Sequence, residues 1–518
     1  MIGSLAALAL GSAFAATFSR WPLWWLAVLM LAGLFALMQR AFERDGRARA
    51  VASRAFAFGM GWFGIGLAWL YTSMHDFGGM PAPLAAAAVV LFAAYLSMFP
   101  ALAGWLAWRV SGGHGPWSTA LAMAAAWALS ELARGHLFTG FPWLAVGYSQ
   151  IDGPLAGIAP LAGVYAVGAA AVAAATLLAV GALHRRTAPI AVAAALLAAA
   201  ALLPRGGWTQ PEGPPLTVRL VQGNVPQEMK FRADHVVAAM NAYADAVEAA
   251  TESLVILPET AWTIPWSATP QAVAQRILEH VRRGHTVAIG MPLPAAGPHT
   301  PGEPVPFANS VLALTPAAAA EPRVGVQRYD KRHLVPFGEF VPLGFRWFVR
   351  LMDIPLGDFA RGAPVQPPLE VGGQRIAFNV CYEDLFGEEI ARALHGARGA
   401  TILANVSNIA WFGNSHALPQ HLQIARMRSL ETGRPMLRAT NTGVTAAIDD
   451  TGRVVAQLPP YTKDSLSVTV QGMAGLTPFA HAGNGPVAGA AAVALLGLAW
   501  AGRSKSDARG ERRATQTR

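Results

Sequence analysis

Long apolar runs alternate with short polar segments over residues 1–204, and one further apolar run lies near the end of the chain. A helix needs about 20 mainly apolar residues to cross a bilayer, and the runs have roughly that length. The pattern therefore predicts a membrane α-helical bundle of about eight spans, seven before a long mixed segment and one after it. The runs cover roughly residues 3–18, 21–38, 55–72, 83–108, 117–133, 156–183, 188–203 and 485–501.

The mixed segment has a different pattern, in which short β-branched runs end in polar residues and alternate with amphipathic helical stretches. This alternation predicts an α/β domain with helices packed on sheets. Reactive side chains in such domains collect at the carboxyl ends of strands, where Glu259 and Cys381 are expected. The predicted strands are 216–224, 253–259, 285–292, 375–380 and 400–407, and the predicted helices are 234–250, 269–283 and 415–432.

The two patterns divide the chain into four parts. Residues 1–204 are expected to form a transmembrane domain of seven helices, and residues 205–480 a large domain outside the bilayer, reached through the linker PEGPP. Residues 481–502 are expected to form a C-terminal transmembrane helix, and residues 503–518 a basic tail.

The basic residues indicate how these parts are oriented. Five arginines lie in the 39–54 loop and six basic residues in the tail, whereas the 73–82 loop has no Lys or Arg. Basic residues concentrate in the cytoplasmic loops of membrane proteins. Both termini are therefore expected in the cytoplasm, and the large domain on the opposite side.

The first apolar run has a second interpretation, because Ala13-Phe14-Ala15 would suit a signal-peptidase site. The absence of a positive charge before the run favours a retained helix. Cleavage there would leave the large domain on the same side of the membrane.

Composition agrees with a membrane protein and excludes several function classes. The chain is 53% hydrophobic and only 13% charged, whereas an ordinary soluble domain has about 25% charged residues. The net charge of +9 is not gathered into basic runs interleaved with aromatic residues, so no nucleic-acid partner is expected. A single cysteine excludes an intramolecular disulfide and a multi-cysteine zinc site, and no metal or cofactor is expected.

Three short segments carry the candidate chemistry. Cys381 stands in NVCYEDLF, Glu259 in LPETAW, and Lys331 with Glu339 in RYDKRHLVPFGEFVP. Each residue alone has an ordinary interpretation, and a lone cysteine is often a small buried hydrophobe. Together they supply the thiol, the carboxylate base and the ammonium that nucleophilic catalysis requires. A Cys–His dyad is not supported, because no histidine stands at a motif position near Cys381.

These three segments resemble the Glu–Lys–Cys motifs of the nitrilase superfamily. Together with the apolar runs, TGFPWLAVGYSQ (139–150), VQGNVPQ (221–227) and NVSNIAWFGNS (405–415) resemble the apolipoprotein N-acyltransferase family over nearly the whole chain. The resemblance implies that residues 205–480 form a nitrilase-like αββα sandwich with catalytic function. It also implies acyl transfer in two steps through a thioester.

The same resemblance implies a role for each candidate residue. Cys381 would attack the acyl ester, and Glu259 would act as general base. Lys331, with a backbone N–H next to the nucleophile, would stabilise the oxyanion. Residues with supporting roles would be Glu339, Tyr382 and Glu383.

By this resemblance, the donor would be a membrane phospholipid, with phosphatidylethanolamine favoured. The acceptor would be the free α-amine of the diacylglyceryl-cysteine that begins an apolipoprotein. The setting would be the bacterial inner membrane, with a periplasmic catalytic domain. Two positions depart from the family pattern, since Ile409 stands where an acidic residue is usual and Phe231 where tryptophan is frequent.

Lipid must reach the thiol, and the segment 340–355 is rich in aromatic and aliphatic residues. Such a segment suits a membrane interface, and packing into the core of the domain is the alternative. The residues assigned to lipid access are Phe231, Phe340, Trp347, Trp411 and Phe412.

Glu131 and Arg134 stand at i, i+3 spacing at the end of the fifth predicted span, on one helix face. Ionisable residues at a membrane edge are candidates for function. A structural ion pair is the favoured interpretation here.

Two other functions are compatible with parts of the sequence. A membrane-tethered amidase of nitrilase type would resolve the thioester with water, but a hydrolase of soluble amides needs no anchor of eight spans. A transporter with an external sensor domain is the alternative that is not an enzyme. The spans lack the central charges and broken segments that are typical of a transport pathway.

Overall fold

The structure is a computed structural model that describes residues 2–111, 115–230, 232–297, 305–320, 327–345, 347 and 358–516. It divides into two compact units. The first comprises Met1–Ala68, Ala86–Arg205 and Ala482–Arg518, and the second comprises Trp69–Ala85 and Gly206–His481.

The first unit is built from helices, and a helix lies on each of the eight predicted apolar runs. By length and composition, four described helices can cross a membrane, or five if Ala48–Gly66 and Trp69–Phe77 form one broken span. Ile2–Ala15 and Thr187–Ala201 are shorter apolar helices. The helices are Ile2–Ala15, Trp24–Asp45, Ala48–Gly66, Ala82–Ser111, Pro116–Arg134, Ala159–Leu183, Thr187–Ala201 and Gly485–Gln516.

The first and third of these helices approach each other closely because glycines lie at their crossing. A Cβ atom at Gly11 would come 1.9 Å from the carbonyl oxygen of Phe58, and one at Gly61 would come 2.1 Å from that of Leu8. Small residues allow helix backbones to pack in this way. The crossing therefore has no room for a methyl group at either position.

A buried ion pair stabilises the irregular segment that follows the fifth helix. Glu131 and Arg134 lie 3.5 Å apart, and both side chains are buried. Glu131 Oε1 accepts a hydrogen bond from the Val146 N–H at 2.9 Å, while Arg134 Nη1 donates to the carbonyl oxygens of Phe141 and Trp143 at 2.8 and 2.7 Å. Backbone groups away from water need partners within the protein. The pair supplies them, in agreement with the structural interpretation of its spacing.

The second unit contains two six-stranded sheets and a two-stranded ribbon. Its strands are β1 (Gln210–Pro211), β2 (Leu216–Gln222), β3 (Leu254–Ile256), β4 (Thr286–Pro294), β5 (Phe307–Leu314), β6 (Gln327–Asp330), β7 (Leu369–Val371), β8 (Gln374–Val380), β9 (Ile402–Ser407), β10 (Met436–Thr440), β11 (Ala446–Ile448), β12 (Val454–Gln457), β13 (Asp464–Val470) and β14 (Met473–Ala474).

Each six-stranded sheet has a parallel centre and antiparallel edges. The first sheet has the order β13–β2–β3–β4–β5–β6, and the second β12–β11–β10–β9–β8–β7. Strands β2, β3 and β4 run parallel to one another, as do β8, β9 and β10. The five strands predicted from the sequence correspond to β2, β3, β4, β8 and β9 and are confirmed.

The two sheets pack face to face, with helices on both outer faces. Alternate apolar residues of the two sheets form one buried cluster between them. Two further clusters join the outer face of each sheet to a pair of helices, which completes an αββα sandwich. The helices are Ala233–Glu248 and Gln271–Arg282 on the first sheet, and Gly387–Arg392 and Ala417–Thr432 on the second.

Changing Gly61 to Ala should destabilise the first unit, because the new methyl group would displace the Leu8 backbone. Overpacking of this kind costs about 1–3 kcal/mol. Gly64→Ala is the matched control, since a Cβ atom there would meet nothing within 4 Å. Thermal unfolding in detergent should give a lower midpoint for Gly61→Ala alone, and equal midpoints for the two variants would contradict the close crossing.

Candidate active site

Cys381 follows β8 directly and has a backbone conformation that is rare for residues other than glycine. Its φ is +52°, in the left-handed region where a side chain is strained. The chain then makes one 3₁₀ turn over Cys381–Leu385. The carbonyl oxygen of Cys381 accepts hydrogen bonds from Asn405 Nδ2 at 3.3 Å and from His421 Nε2 at 3.2 Å. The thiol thus lies at the carboxyl end of a central strand, on a turn whose backbone is held by these two hydrogen bonds.

Glu259 lies just beyond β3 and is buried, with both carboxylate oxygens hydrogen-bonded. Oε1 accepts from Asn309 Nδ2 at 2.7 Å, and Oε2 accepts from the Asn408 backbone N–H at 2.7 Å. A Cβ atom at Gly290 would come 2.7 Å from the Cα atom of Glu259, so β4 packs directly against the backbone of this residue. The carboxylate therefore has a fixed orientation.

Lys331 follows β6 and places its ammonium between two carboxylates. Lys331 Nζ lies 2.9 Å from Glu339 Oε2 and 3.6 Å from Glu259 Oε1, and the Lys331 side chain is 1% exposed. Asn309 Nδ2 donates to Glu259 and also to Glu339, at 2.7 Å in each case. The backbone N–H of Lys331 donates to the carbonyl oxygen of Asn309 at 2.8 Å. A single asparagine of β5 thus joins all three charged residues.

The charges in this cluster act on the pKa values of the ammonium and the thiol. Burial by itself lowers the pKa of Lys331, but the carboxylates of Glu339 and Glu259 outweigh it and raise that pKa above its ordinary value. Burial, together with the Glu259 carboxylate, raises the pKa of the Cys381 thiol to about 12, and the Lys331 ammonium opposes the rise. The resting site at neutral pH therefore contains a protonated lysine and a neutral thiol.

Glu383 ties the segment before Cys381 to the segment after Lys331. Its Oε2 accepts hydrogen bonds from the Val380 N–H at 2.7 Å and the Tyr329 hydroxyl at 2.9 Å. Its Oε1 accepts from the backbone N–H groups of the two residues that follow Lys331, at 2.8 and 3.0 Å. The carboxylate is 4% exposed and braces two separate strand ends.

Tyr382 is also buried, and its ring lies at the back of the turn. The ring packs against Phe386, at 5.4 Å between centroids, and against His333, at 5.8 Å. The structure therefore brings together all six residues assigned to catalysis or its support. They are Glu259, Lys331, Glu339, Cys381, Tyr382 and Glu383.

A chain of buried polar side chains fixes the tautomer of His421. Its Nδ1 lies 3.0 Å from Arg438 Nη2. A guanidinium can only donate, so Nδ1 accepts, and the ring proton lies on Nε2, which donates to the carbonyl oxygen of Cys381. Burial and the Arg438 charge hold the pKa of His421 well below its ordinary value. Arg438 in turn pairs with Asp384 at 2.5 Å.

The residues assigned to lipid access have different surroundings. Phe412 packs on Trp69, at 4.2 Å between ring centroids, and Trp411 lies edge-on to Phe77 at 6.3 Å. Both therefore contact the 69–85 segment, which belongs to the same unit.

Earlier in the chain, Phe340 lies beneath the Arg361 guanidinium at 4.9 Å, and Trp347 is 61% exposed. Among the described residues of the 340–355 segment, Leu343 is fully exposed. Phe231 and residues 346 and 348–355 lie outside the described part of the chain. Ile409 is buried, and its methyl group is within 2.7 Å of the Cβ position at Gly443.

Sequence reasoning did not assign four residues that the structure places at the site. Asn309 and Asn408 donate to the Glu259 carboxylate, His421 donates to the carbonyl oxygen of Cys381, and Arg438 donates to His421. A signal was available for Asn309, Asn408 and Arg438, because each is a polar residue in or beside an apolar run, as in FANSVLAL and MLRAT, whereas His421 lies in the mixed stretch LPQHLQIAR. Polar residues in such runs need buried partners.

Two family models match the chain. The model described as the apolipoprotein N-acyltransferase N-terminal domain matches residues 10–177, and the model described as carbon-nitrogen hydrolase matches residues 217–479. A solved structure, the C. elegans NitFhit protein, is 18% identical with a TM-score of 0.36, covering 50% of this chain and 61% of its own. That likeness is too low to support an argument.

Curated relatives match over most of their length. A protein of Ralstonia nicotianae named apolipoprotein N-acyltransferase is 51% identical, over 92% of this chain and 89% of the relative. Relatives of the same name from Bordetella bronchiseptica and Neisseria meningitidis are 45% and 36% identical, with 95% and 90% of this chain covered, and 94% and 90% of those relatives.

Opposite charges beside the thiol should shift its alkylation in opposite directions. Lys331→Met removes the charge that favours the thiolate, and Glu259→Gln removes one that disfavours it. At pH 8, iodoacetamide should therefore modify the first variant more slowly and the second faster, by about tenfold for each unit of change in pKa. Cys381 is the only cysteine, so the rate reports this thiol alone.

The matched control is Lys463→Met, which removes an exposed ammonium elsewhere in the unit and should leave the rate unchanged. If Lys331→Met and Glu259→Gln change the rate of modification in the same direction, the electrostatic account of the thiol is wrong.

Proposed function

Since the chain belongs to the apolipoprotein N-acyltransferase family, we propose that it transfers an acyl chain from a phospholipid to the α-amine of a lipoprotein. The acceptor is the diacylglyceryl-cysteine at the N-terminus of an apolipoprotein. The observation that carries the mechanism is the buried cluster of Lys331 between Glu259 and Glu339, whose charges act on the thiol of Cys381.

The first step forms a thioester. Glu259 removes the thiol proton as the Cys381 sulfur attacks the ester carbonyl carbon, so no free thiolate of a thiol with pKa of about 12 has to persist. Lys331 and the backbone N–H of Tyr382 stabilise the oxyanion. When the tetrahedral intermediate collapses, the carbon–oxygen bond breaks, and the departing lysophospholipid oxygen takes the proton from Glu259.

The second step forms the amide. A free α-amine has a pKa of about 7.7–8.0, so a substantial fraction is neutral near pH 7.5 and able to attack the thioester. Glu259 takes the ammonium proton as nitrogen adds, and Cys381 leaves as a thiol after receiving that proton. An amide lies well below an ester and a thioester in acyl-transfer potential, so the second step draws the first forward without a nucleotide.

The peptide group after Cys381 sets the direction of the oxyanion donor. The carbonyl of Cys381 and the N–H of Tyr382 belong to one planar trans peptide, so they point in opposite directions. Asn405 and His421 hold that carbonyl, and they therefore aim the Tyr382 N–H. We assign His421 as a positioning residue for the oxyanion.

The membrane setting completes the proposal. Helices occupy all eight predicted runs, which supports eight spans. The basic residues of the 39–54 loop and the tail support both termini in the cytoplasm and residues 205–480 in the periplasm of a bacterial inner membrane. The proposed parts keep the bounds 1–204, 205–480, 481–502 and 503–518. Phosphatidylethanolamine is the proposed donor. Exposed apolar residues at 340–347 support lipid access there.

The thioester is the direct test. Purified protein incubated with phospholipid should carry an acyl group on Cys381, located by mass spectrometry, and Cys381→Ser should carry no thioester. Adding a diacylglyceryl lipopeptide should discharge it as the N-acylated peptide. Absence of an adduct in the wild type would contradict the proposal. A thioester that decays equally fast with and without the amine would favour the amidase.

Two variants test the positioning role of His421. His421→Gln keeps an acceptor for Arg438 and a donor for Cys381, while His421→Leu keeps neither. We expect the Leu variant to lose about tenfold or more of the maximal acylation rate, with the apparent KM for phospholipid unchanged, because oxyanion donors act on the transition state. The Gln variant should retain most of the rate.

Thermal unfolding of both variants separates this role from a general loss of stability. If the Gln variant unfolds like the wild type yet acylates as slowly as the Leu variant, the positioning assignment is wrong.

A further inference from the structure

Lys230 is a second buried ammonium at the site, and the proposed chemistry does not use it. Lys230 is 4% exposed, and its Nζ donates to the backbone carbonyl oxygen of Glu259 at 3.2 Å. Within the described part of the chain, this carbonyl is the one hydrogen-bond acceptor of Nζ. An ammonium has three N–H donors, so two are left without an acceptor among the described residues.

Gln227 lies one turn earlier and also has an unused donor. It is 5% exposed, and the Lys230 N–H donates to its carbonyl oxygen at 3.3 Å. Gln227 Oε1 accepts from Asn408 Nδ2 at 3.0 Å, and Asn408 also donates its backbone N–H to Glu259. Gln227 Nε2 has no partner among the described residues.

The backbone of Val225 fixes the orientations of the side-chain amides that are hydrogen-bonded to one another up to Gln227. Asn441 Oδ1 accepts from the Val225 N–H and Nδ2 donates to the Val225 carbonyl, at 2.9 and 2.8 Å. Asn441 Nδ2 also donates to Asn408 Oδ1 at 3.0 Å, so Asn408 presents its amide nitrogen to Gln227. The unpaired group of Gln227 is therefore a donor.

Holding a backbone carbonyl does not require a lysine. A buried charge without a carboxylate partner is costly, and a neutral donor would hold the same carbonyl at a lower cost. Lys331, by contrast, has two carboxylate partners, so its charge is compensated. Burial lowers the pKa of Lys230 to about 7, and Glu259 opposes the decrease. An anion next to Nζ would restore the charge.

We propose that Lys230 Nζ and Gln227 Nε2 bind an anionic oxygen of the phosphodiester group of the phospholipid donor. This rests on the proposed function, in which the phosphodiester lies a few bonds from the ester that Cys381 attacks. Two donors and no free acceptor suit a phosphate oxygen, which accepts several hydrogen bonds and pairs well with an ammonium. The group bound is common to all phospholipids, so the contact selects for the phosphate and not for the head group beyond it.

The test compares two acyl donors in the same detergent micelles. Dioleoylphosphatidylethanolamine contains the phosphodiester, and p-nitrophenyl palmitate is a phosphate-free ester. The single-turnover rate of Cys381 acylation is measured with each donor for wild type, Lys230→Met, Lys230→Arg and Gln227→Leu. Arg232→Gln is the matched control, because Arg232 lies two residues away and is exposed, with its charge paired to Asp234.

For Lys230→Met, the ratio of the phospholipid rate to the p-nitrophenyl ester rate should fall about ten- to a hundredfold, as expected for one charged hydrogen bond. Gln227→Leu should lower the ratio by a smaller factor, and the ratio for Lys230→Arg should lie between those of Lys230→Met and the wild type. Arg232→Gln should not change the ratio. Equal losses with both donors would leave the ratio unchanged and mean that Lys230 only positions Glu259. Unchanged rates with both donors would also exclude the contact. A wild type that neither donor acylates would instead contradict the proposed function.

Discussion

A buried ammonium between two buried carboxylates is the interaction on which the rest of the site depends. Lys331 cannot lie in the interior without compensation, and Glu259 and Glu339 supply it from two other segments. Asn309 holds both carboxylates and accepts the Lys331 N–H with its carbonyl oxygen, which locks the cluster to the first sheet. The sandwich keeps water from this cluster, so its charges act strongly on any group that enters.

The hydrophobic pattern was sufficient to predict most of the architecture. Short β-branched runs and long apolar runs carry this information, and the predicted strands ending near Glu259 and Cys381 are present as β3 and β8. Their parallel neighbours place both residues at carboxyl ends, as the α/β rule requires. The pattern does not fix the number of spans, because four or five described helices have the length and composition to cross a membrane, and Ile2–Ala15 and Thr187–Ala201 are shorter.

The site itself was only half predictable, for a physical reason. Residues with reactive groups can be recognised in the sequence by their type and motif. Asn309, Asn408 and His421, by contrast, act through hydrogen bonds to segments far away in the chain. Sequence shows that such polar residues interrupt apolar runs, but the partner is decided by sheet order and register. Lys230 illustrates the same limit, since its burial and its contact with Glu259 appear only in three dimensions.

The brace made by Glu383 has a consequence for how the protein moves. Its two oxygens hold the backbone on the Lys331 side and on the Cys381 side at once. The backbone segments next to Lys331 and Cys381 are therefore joined directly, and they cannot move apart without breaking buried hydrogen bonds. An opening that exchanges one bulky substrate for the next is therefore expected in other segments, since this brace would resist it here.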